Sequence, residues 1–223
     1  MAVGITCLSS CSEEITDFGF DGQISGMVLD GNGNPVSGDV SSAAMTVYAL
    51  GAEDRVPIEI RVTADGSFAN LHLFPQSYNI WIEGPVDGPT EESPISVDLS
   101  GSAVSQDISV TPFIAIGTPT ANISGGNVTV DFDISPNTGH TTSDRMVLVS
   151  TVAKVGVNTG SGDRWETRSV DLGANTGSVD VPLDSDLLDV SEKRGGGKLH
   201  IRIAARSNQT NDWNYSLPIV ITP

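Results

Sequence analysis

From Gln23 onward the chain alternates apolar and polar positions with a period of two. Ile24, Gly26 and Val28 fall on one side of an extended segment, and Ser25, Met27 and Leu29 on the other. Asp30-Gly31-Asn32-Gly33-Asn34-Pro35 then turns the chain, because Asn and Gly adopt positive φ at little cost. Further strands are expected over 45–50 and 58–62, and Asp65-Gly66 makes a tight turn into a strand over 67–71. In Tyr78-Asn79-Ile80-Trp81-Ile82 the alternation puts Tyr78, Ile80 and Ile82 on one face and aims Trp81 the other way, toward solvent or a partner. A Gly/Pro/Glu loop over 85–94 and strands over 95–99 and 105–110 complete a set of about seven.

Thr111-Pro112-Phe113 marks a boundary, since a proline interrupts ladder pairing and fixes a bend. Beyond it, strands are expected over 114–117, 127–134, 145–152, 165–170, 177–182, 198–207 and 217–222, with one helical turn over 184–189. The chain is therefore all-β: two tandem β-sandwiches over 21–112 and 113–223, behind a leader and tether over 1–20. Its 223 residues suit two sandwiches of about 100 residues each.

Charge separates the two halves. Residues 1–112 carry 16 acids against Arg55 and Arg61, a net −14, while residues 113–223 carry 12 acids against 9 bases, a net −3. So acidic a first half repels phosphate backbones, which argues against a nucleic-acid partner. The two cysteines, Cys7 and Cys11, are both near the N-terminus, leaving the body without a disulfide, a thiolate nucleophile or a cysteine-ligated metal. The Asp30–Asn34 spacing invites a calcium-loop reading, but an EF-hand loop needs Gly at its sixth position and Glu at its twelfth; Pro35 and Ser41 stand there, which favours a plain turn. No cofactor is implied.

Leu8-Ser9-Ser10-Cys11 resembles a bacterial lipobox, which makes Cys11 the expected lipidation site and the membrane an expected partner through that anchor alone. Only Met1–Cys7 precede it, without Lys or Arg, so a truncated or misplaced start is expected. Ser12-Glu13-Glu14 resembles the surface-export signal of Bacteroidota lipoproteins, which implies the outer face of the outer membrane.

GMVLDGNGNPVSG, ADGSF and YNIWIEG together resemble a carboxypeptidase-regulatory-like (transthyretin-like) domain, a small β-sandwich with structural or binding roles. The wider set ISGMVLD, MTVYALG, DGSFANLHLFPQSYNIWIEGP and SVTPFI resembles the N-terminal domain of a Bacteroidota lipoprotein family catalogued as domain of unknown function 3823. That resemblance implies two β-domains after a lipobox and a frequent association with Sus-type glycan importers. LHIRIAARS and SLPIVITP resemble the closing hairpin of a fibronectin type III domain, so the second sandwich is expected to be immunoglobulin- or fibronectin type III-like.

Candidate chemistry is confined to the second half. Leu199, Ile201, Ile203 and Ala205 share a core face, and His200, Arg202 and Arg206 the opposite one. The loop that follows gathers Asn211, Asp212, Trp213 and Tyr215, and Trp165 sits in a second loop expected at the same end. An aromatic face against sugar C–H groups, with amides, carboxylates and Arg202 reading hydroxyls, makes these the expected ligand site, and a polysaccharide the expected ligand. The bland alternative is that the aromatics pack over the sandwich end and the arginines pair with acids. His72, His140 and His200 have no motif around them, and no nucleophile–base pair or carboxylate pair is legible, so no catalytic residue is assigned. The expected function is a surface lipoprotein that binds glycan or assists a Sus-type importer; the alternative is a spacer or docking module without a small ligand.

Overall fold

The computed structural model describes residues 19–39, 45–101, 103–162 and 164–223. The Leu8–Cys11 motif and the acidic residues after it lie outside the described residues.

The first core is drawn from residues between Ile24 and Val110. Strand β1 (Gly22–Leu29) buries Ile24 and Val28 as its alternation requires. β2 (Thr46–Gly51), β3 (Ile58–Arg61), β4 (Ser67–Leu73) and β5 (Ser77–Glu83) follow, with Asp65 Oδ1 accepting the Ser67 N–H at the turn into β4. β4 lies antiparallel to β1 in one sheet; β3, β2, β5 and a later strand form the other. After the two-residue β6 (Val86–Asp87) and β7 (Ile95–Asp98), the chain returns beside β1 in parallel. It does so in two pieces, β8 (Ala103–Ser105) and β9 (Ile108–Ser109), where one strand was expected. Gly26 explains the break: a Cβ there would meet the Gln106 carbonyl oxygen at 2.0 Å, so the Gln106–Asp107 backbone bulges into the space that a side chain would fill. β10 (Thr111–Pro112) then pairs with β6, placing Pro112 in a short edge ladder.

Trp81 corrects one expectation. It points away from Tyr78, Ile80 and Ile82 as expected, yet is only 4% exposed, with its ring stacked on Tyr48 at 5.4 Å. It is therefore not a free contact for solvent or a partner.

The second core gathers residues from Ile114 to Ile221. One sheet centres on β13 (Asn127–Pro136). It is flanked on one side by β11 (Ile114–Ile116) and β12 (Thr120–Ser124), and on the other by β16 (Thr176–Pro182). The second sheet runs β15 (Thr167–Asp171), β14 (Thr142–Ser150) and β17 (Leu199–Ser207), with β18 (Trp213–Tyr215) and β19 (Ile219–Ile221) both on the far edge of β17. β12 was not expected; its exposed, polar-rich pattern carries little core signal. The helical turn is a full helix, α1 (Ser185–Arg194). Asp184 caps it by accepting the Leu187 N–H, Leu187 and Ser191 bury its inner face, and Gly195 ends it.

Candidate functional site

The six side chains singled out from the sequence separate into three places. Asn211 and Asp212 lie exposed on the turn between β17 and β18, where Thr210 Oγ1 accepts the Asp212 N–H at 3.1 Å. Trp213 is half-buried beneath the Arg206 guanidinium, 5.2 Å from its ring, and Arg206 pairs with Asp144 at 3.0 Å from Nε. Trp165 is not at this end. Along β14, Asp144 pairs with Arg206 next to Trp213, whereas Ser150 pairs with Thr167 next to Trp165. Six residues of strand put the two indoles at opposite ends of the sheet, about 20 Å apart in the strand direction.

Arg202 and Tyr215 occupy a third place, the seam between the sandwiches. The alternation of β17 is as expected, but its outer face is covered. Val155 packs there with Leu148, Ala204 and Tyr215, and the Ser37–Asp39 segment of the first sandwich bridges to Tyr215. Arg202 is 0% exposed. Its Nη2 donates to Ser37 Oγ at 2.7 Å and the Gly38 carbonyl at 2.9 Å, its Nη1 to the Val155 carbonyl at 2.8 Å, and its Nε to the Ser216 carbonyl at 3.2 Å. The guanidinium also lies 4.3 Å from the Tyr215 ring centre. Burial pushes its pKa down to about 10, against the pull of Tyr215 and Asp39. The Tyr215 hydroxyl donates to Asp39 Oδ2 at 3.0 Å and accepts the Val157 N–H at 3.2 Å; burial, then the Asp39 charge, raise its pKa. Asn214 joins the seam, accepting the Ile114 N–H at 3.0 Å and donating to the Pro85 carbonyl at 3.0 Å. Arg202 and Tyr215 therefore fasten the two sandwiches, and the Arg202 guanidinium is sealed from solvent.

Trp165 remains open, 42% exposed. Its indole N–H donates to the Gly160 carbonyl at 2.7 Å, and its ring lies so close over Gly162 that a Cβ there would stand 3.2 Å from it. The ring is thus fixed in orientation, and its N–H is satisfied by its own loop. Gly162 also lines a shallow depression of about 490 Å³ with Ser161, Glu166, Asp186, Asp189 and Val190. Arg168 braces this rim, pairing with Glu166 at 2.7 Å and Asp184 at 2.6 Å. Its hydrogen bonds hold both carboxyls below their ordinary range, with the Leu187 N–H adding to the effect at Asp184. Glu166, Asp186 and Asp189 were missed in the sequence, since nothing in it brings the start of α1 beside the Trp165 loop.

A cleft of about 440 Å³ lies where the sandwiches meet. Asp30, Asn34 and Ser37 line it from the first sandwich, and Ile116, Asp133 and Ser135 from the second. Asp30 belongs to the turn after β1, where its Oδ1 accepts the N–H groups of Asn32 and Asn34, both at 2.8 Å. The carboxylate holds the turn together and keeps acceptor capacity on the side that lines the cleft.

Two β-sandwiches fastened through a buried arginine, with an open aromatic shelf on the second, define an all-β protein of the two-sandwich kind. Residues 22–111 match the family model described as the N-terminal domain of a protein of unknown function, DUF3823. The fold of the chain is similar to that of a DUF3823 family protein from Bacteroides ovatus, with a TM-score of 0.73 and 16% identity over 91% of this chain and 98% of the other. A DUF3823 family protein from Parabacteroides merdae gives 0.71 and 20% over 90% and 98%. A candidate carbohydrate binding protein from Bacteroides uniformis gives 0.69 and 19% over 91% and 99%. At these identities the likeness carries the fold alone. No curated protein matches the chain.

Proposed function

We propose that this chain is a non-catalytic surface lipoprotein, anchored to the outer membrane through Cys11, that binds polysaccharide at the Trp165 shelf and serves a Sus-type importer. The observation that carries the carbohydrate reading is Trp165 itself: a large aromatic face, open to solvent and oriented by its own loop, beside hydroxyl and carboxylate groups. Sugar rings stack their C–H faces on such a surface while acceptors read their hydroxyls, and a pre-oriented ring loses little entropy on binding. The fold shared with the Bacteroides uniformis protein supports the same reading. Titration calorimetry of the chain against a polysaccharide panel tests it. One or more neutral glycans should bind, and Trp165→Ala should weaken binding at least about tenfold while leaving the circular dichroism unchanged. Silence across the panel, or undiminished binding by Trp165→Ala, would sink it.

A second reading, a spacer or docking module, has its own support. Phe20 and Phe74 pack with tilted rings, centroids 4.5 Å apart, and stand 43% and 49% exposed, with Leu71, three residues before Phe74, at 51%. Capture of the lipidated protein from its native membrane tests it, and recovery without importer subunits or other partners would count against it.

A further inference from the structure

The cleft between the sandwiches has a wall of unusual chemistry. In the β11–β13 ladder the Gly117 N–H donates to the Asp133 carbonyl at 2.9 Å, and Ala115 pairs with Ser135. Residues 115 and 117 therefore turn their backbone groups toward β13, and Ile114 and Ile116 turn theirs outward to the strand's free edge. Asn214 Oδ1 takes the Ile114 N–H. The N–H and C=O of Ile116 have no protein partner among the described residues. They sit on the cleft wall, next to Asn214, which lines it too.

An open edge group seeks a partner. A strand from another protein would need a longer run of such groups than this three-residue strand offers, and its first N–H, that of Ile114, is already taken by Asn214. A pair of neighbouring sugar hydroxyls, one accepting from the N–H and one donating to the C=O, matches it. The remaining polar lining consists of Asp30, Asn34, Asp133, Ser135 and other hydroxyls and amides, with no Lys, Arg or His among the described residues. Such walls accept hydrogen bonds from hydroxyls and offer an anion no counter-charge.

We propose that this cleft is a second carbohydrate subsite, taking one uncharged sugar residue through the free N–H and C=O of Ile116 and excluding uronic-acid and sulfated sugars. The proposal rests on the carbohydrate reading of the chain, and is independent of the Trp165 shelf. The experiment follows the backbone amides of residues 116–118 and the Trp165 indole by NMR in the isotope-labelled chain. Neutral malto-, cello- and xylo-oligosaccharides form one arm, and oligogalacturonate the other. A neutral oligosaccharide should shift the Ile116 and Gly117 amides in both the natural chain and Trp165→Ala, and oligogalacturonate should not. Ser135→Trp, which fills the cleft away from the seam, should weaken the response at Ile116 at least about tenfold and keep the indole response. Movement of the indole alone overturns the cleft and leaves the shelf standing. An equal response to oligogalacturonate overturns the selectivity, and no response at either place overturns both.

Discussion

Replacing Arg202 with Ala tests whether the seam is what makes two sandwiches one unit. The side chain is 0% exposed and donates to three buried carbonyls and the Ser37 hydroxyl. Truncation empties its volume and leaves those acceptors facing a void. Breaking a buried charged arrangement from one side costs about 3–5 kcal/mol. Met fills more of the space. It also removes a charge that burial already disfavours: the fall of the guanidinium pKa to about 10 corresponds to roughly 3 kcal/mol against the charged form. Arg202→Met should therefore cost less than Ala, about 1–3 kcal/mol from unmet acceptors. In a chain of this size each kcal/mol lowers Tm by about 2–4 °C, so Ala should lower it by about 10 °C. Urea titration and calorimetry measure both variants. The Ala variant should also split one transition into two, because the first sandwich keeps its own core while its link to the second is cut. A loss below about 1 kcal/mol for Ala, with a single transition retained, would refute the reasoning.

Tyr215→Phe removes a hydrogen bond to Asp39 and the acceptor of the Val157 N–H, and should cost about 1–3 kcal/mol by urea titration. Gly156→Ala should be worse than a surface glycine change, because its Cβ would stand 2.2 Å from the buried Asp39 carboxylate; Gly160→Ala, with nothing within 4 Å, is the near-neutral control for melting temperature. Asp184→Ala should cost about 1 kcal/mol through the lost cap, and Asp184→Asn much less, since Asn also caps. The Asp184 carboxyl is held below its ordinary range by Arg168 and the Leu187 N–H. Its contribution is therefore present above the unfolded value and lost as pH falls through the folded one. Asp184→Asn should remove that acid-sensitive part, a few tenths of a kcal/mol for so exposed a pair, measured as melting temperature from about pH 5 to pH 2.

Alternation carried most of the fold. The inward set of β1, β5 and β17 is the set the period of two assigns, because one buried face suffices to fix a strand's register. It was silent where burial comes from the other side. Trp81 and Arg202 both lie on outer faces as expected, and both are covered by parts of the chain distant in sequence or on a neighbouring strand. α1 was shortened to a turn because its inner face buries only Leu187 and Ser191, a weak apolar signal. Of the site, Trp165 was legible as an aromatic in a Gly-rich loop. Its carboxylate neighbours on α1 were not, nor was the free edge of β11, which arises because β11 pairs with β13 on one side only.

The charge asymmetry has a structural counterpart. The first sandwich, net −14 with its leader, has only two bases of its own, and the cation that enters its boundary is Arg202, from the half that is nearly balanced. A buried cation is tolerated where acceptors converge on it from several sides, and Ser37 and Gly38 supply half of the hydrogen bonds. Neither sandwich alone satisfies Arg202, so orientation and charge burial are one problem with one solution. The same convergence keeps the walls of the cleft at a fixed separation, since Tyr215 and Asn214 belong to both seam and cleft. A site held open by Arg202, which does not line it, is pre-organised, and preorganisation lowers the entropic cost of binding. Loosening the seam through Arg202 should therefore weaken a ligand in the cleft and spare one on the Trp165 shelf, which lies at the far end of the sheet from Trp213 and is braced by its own loop and Arg168.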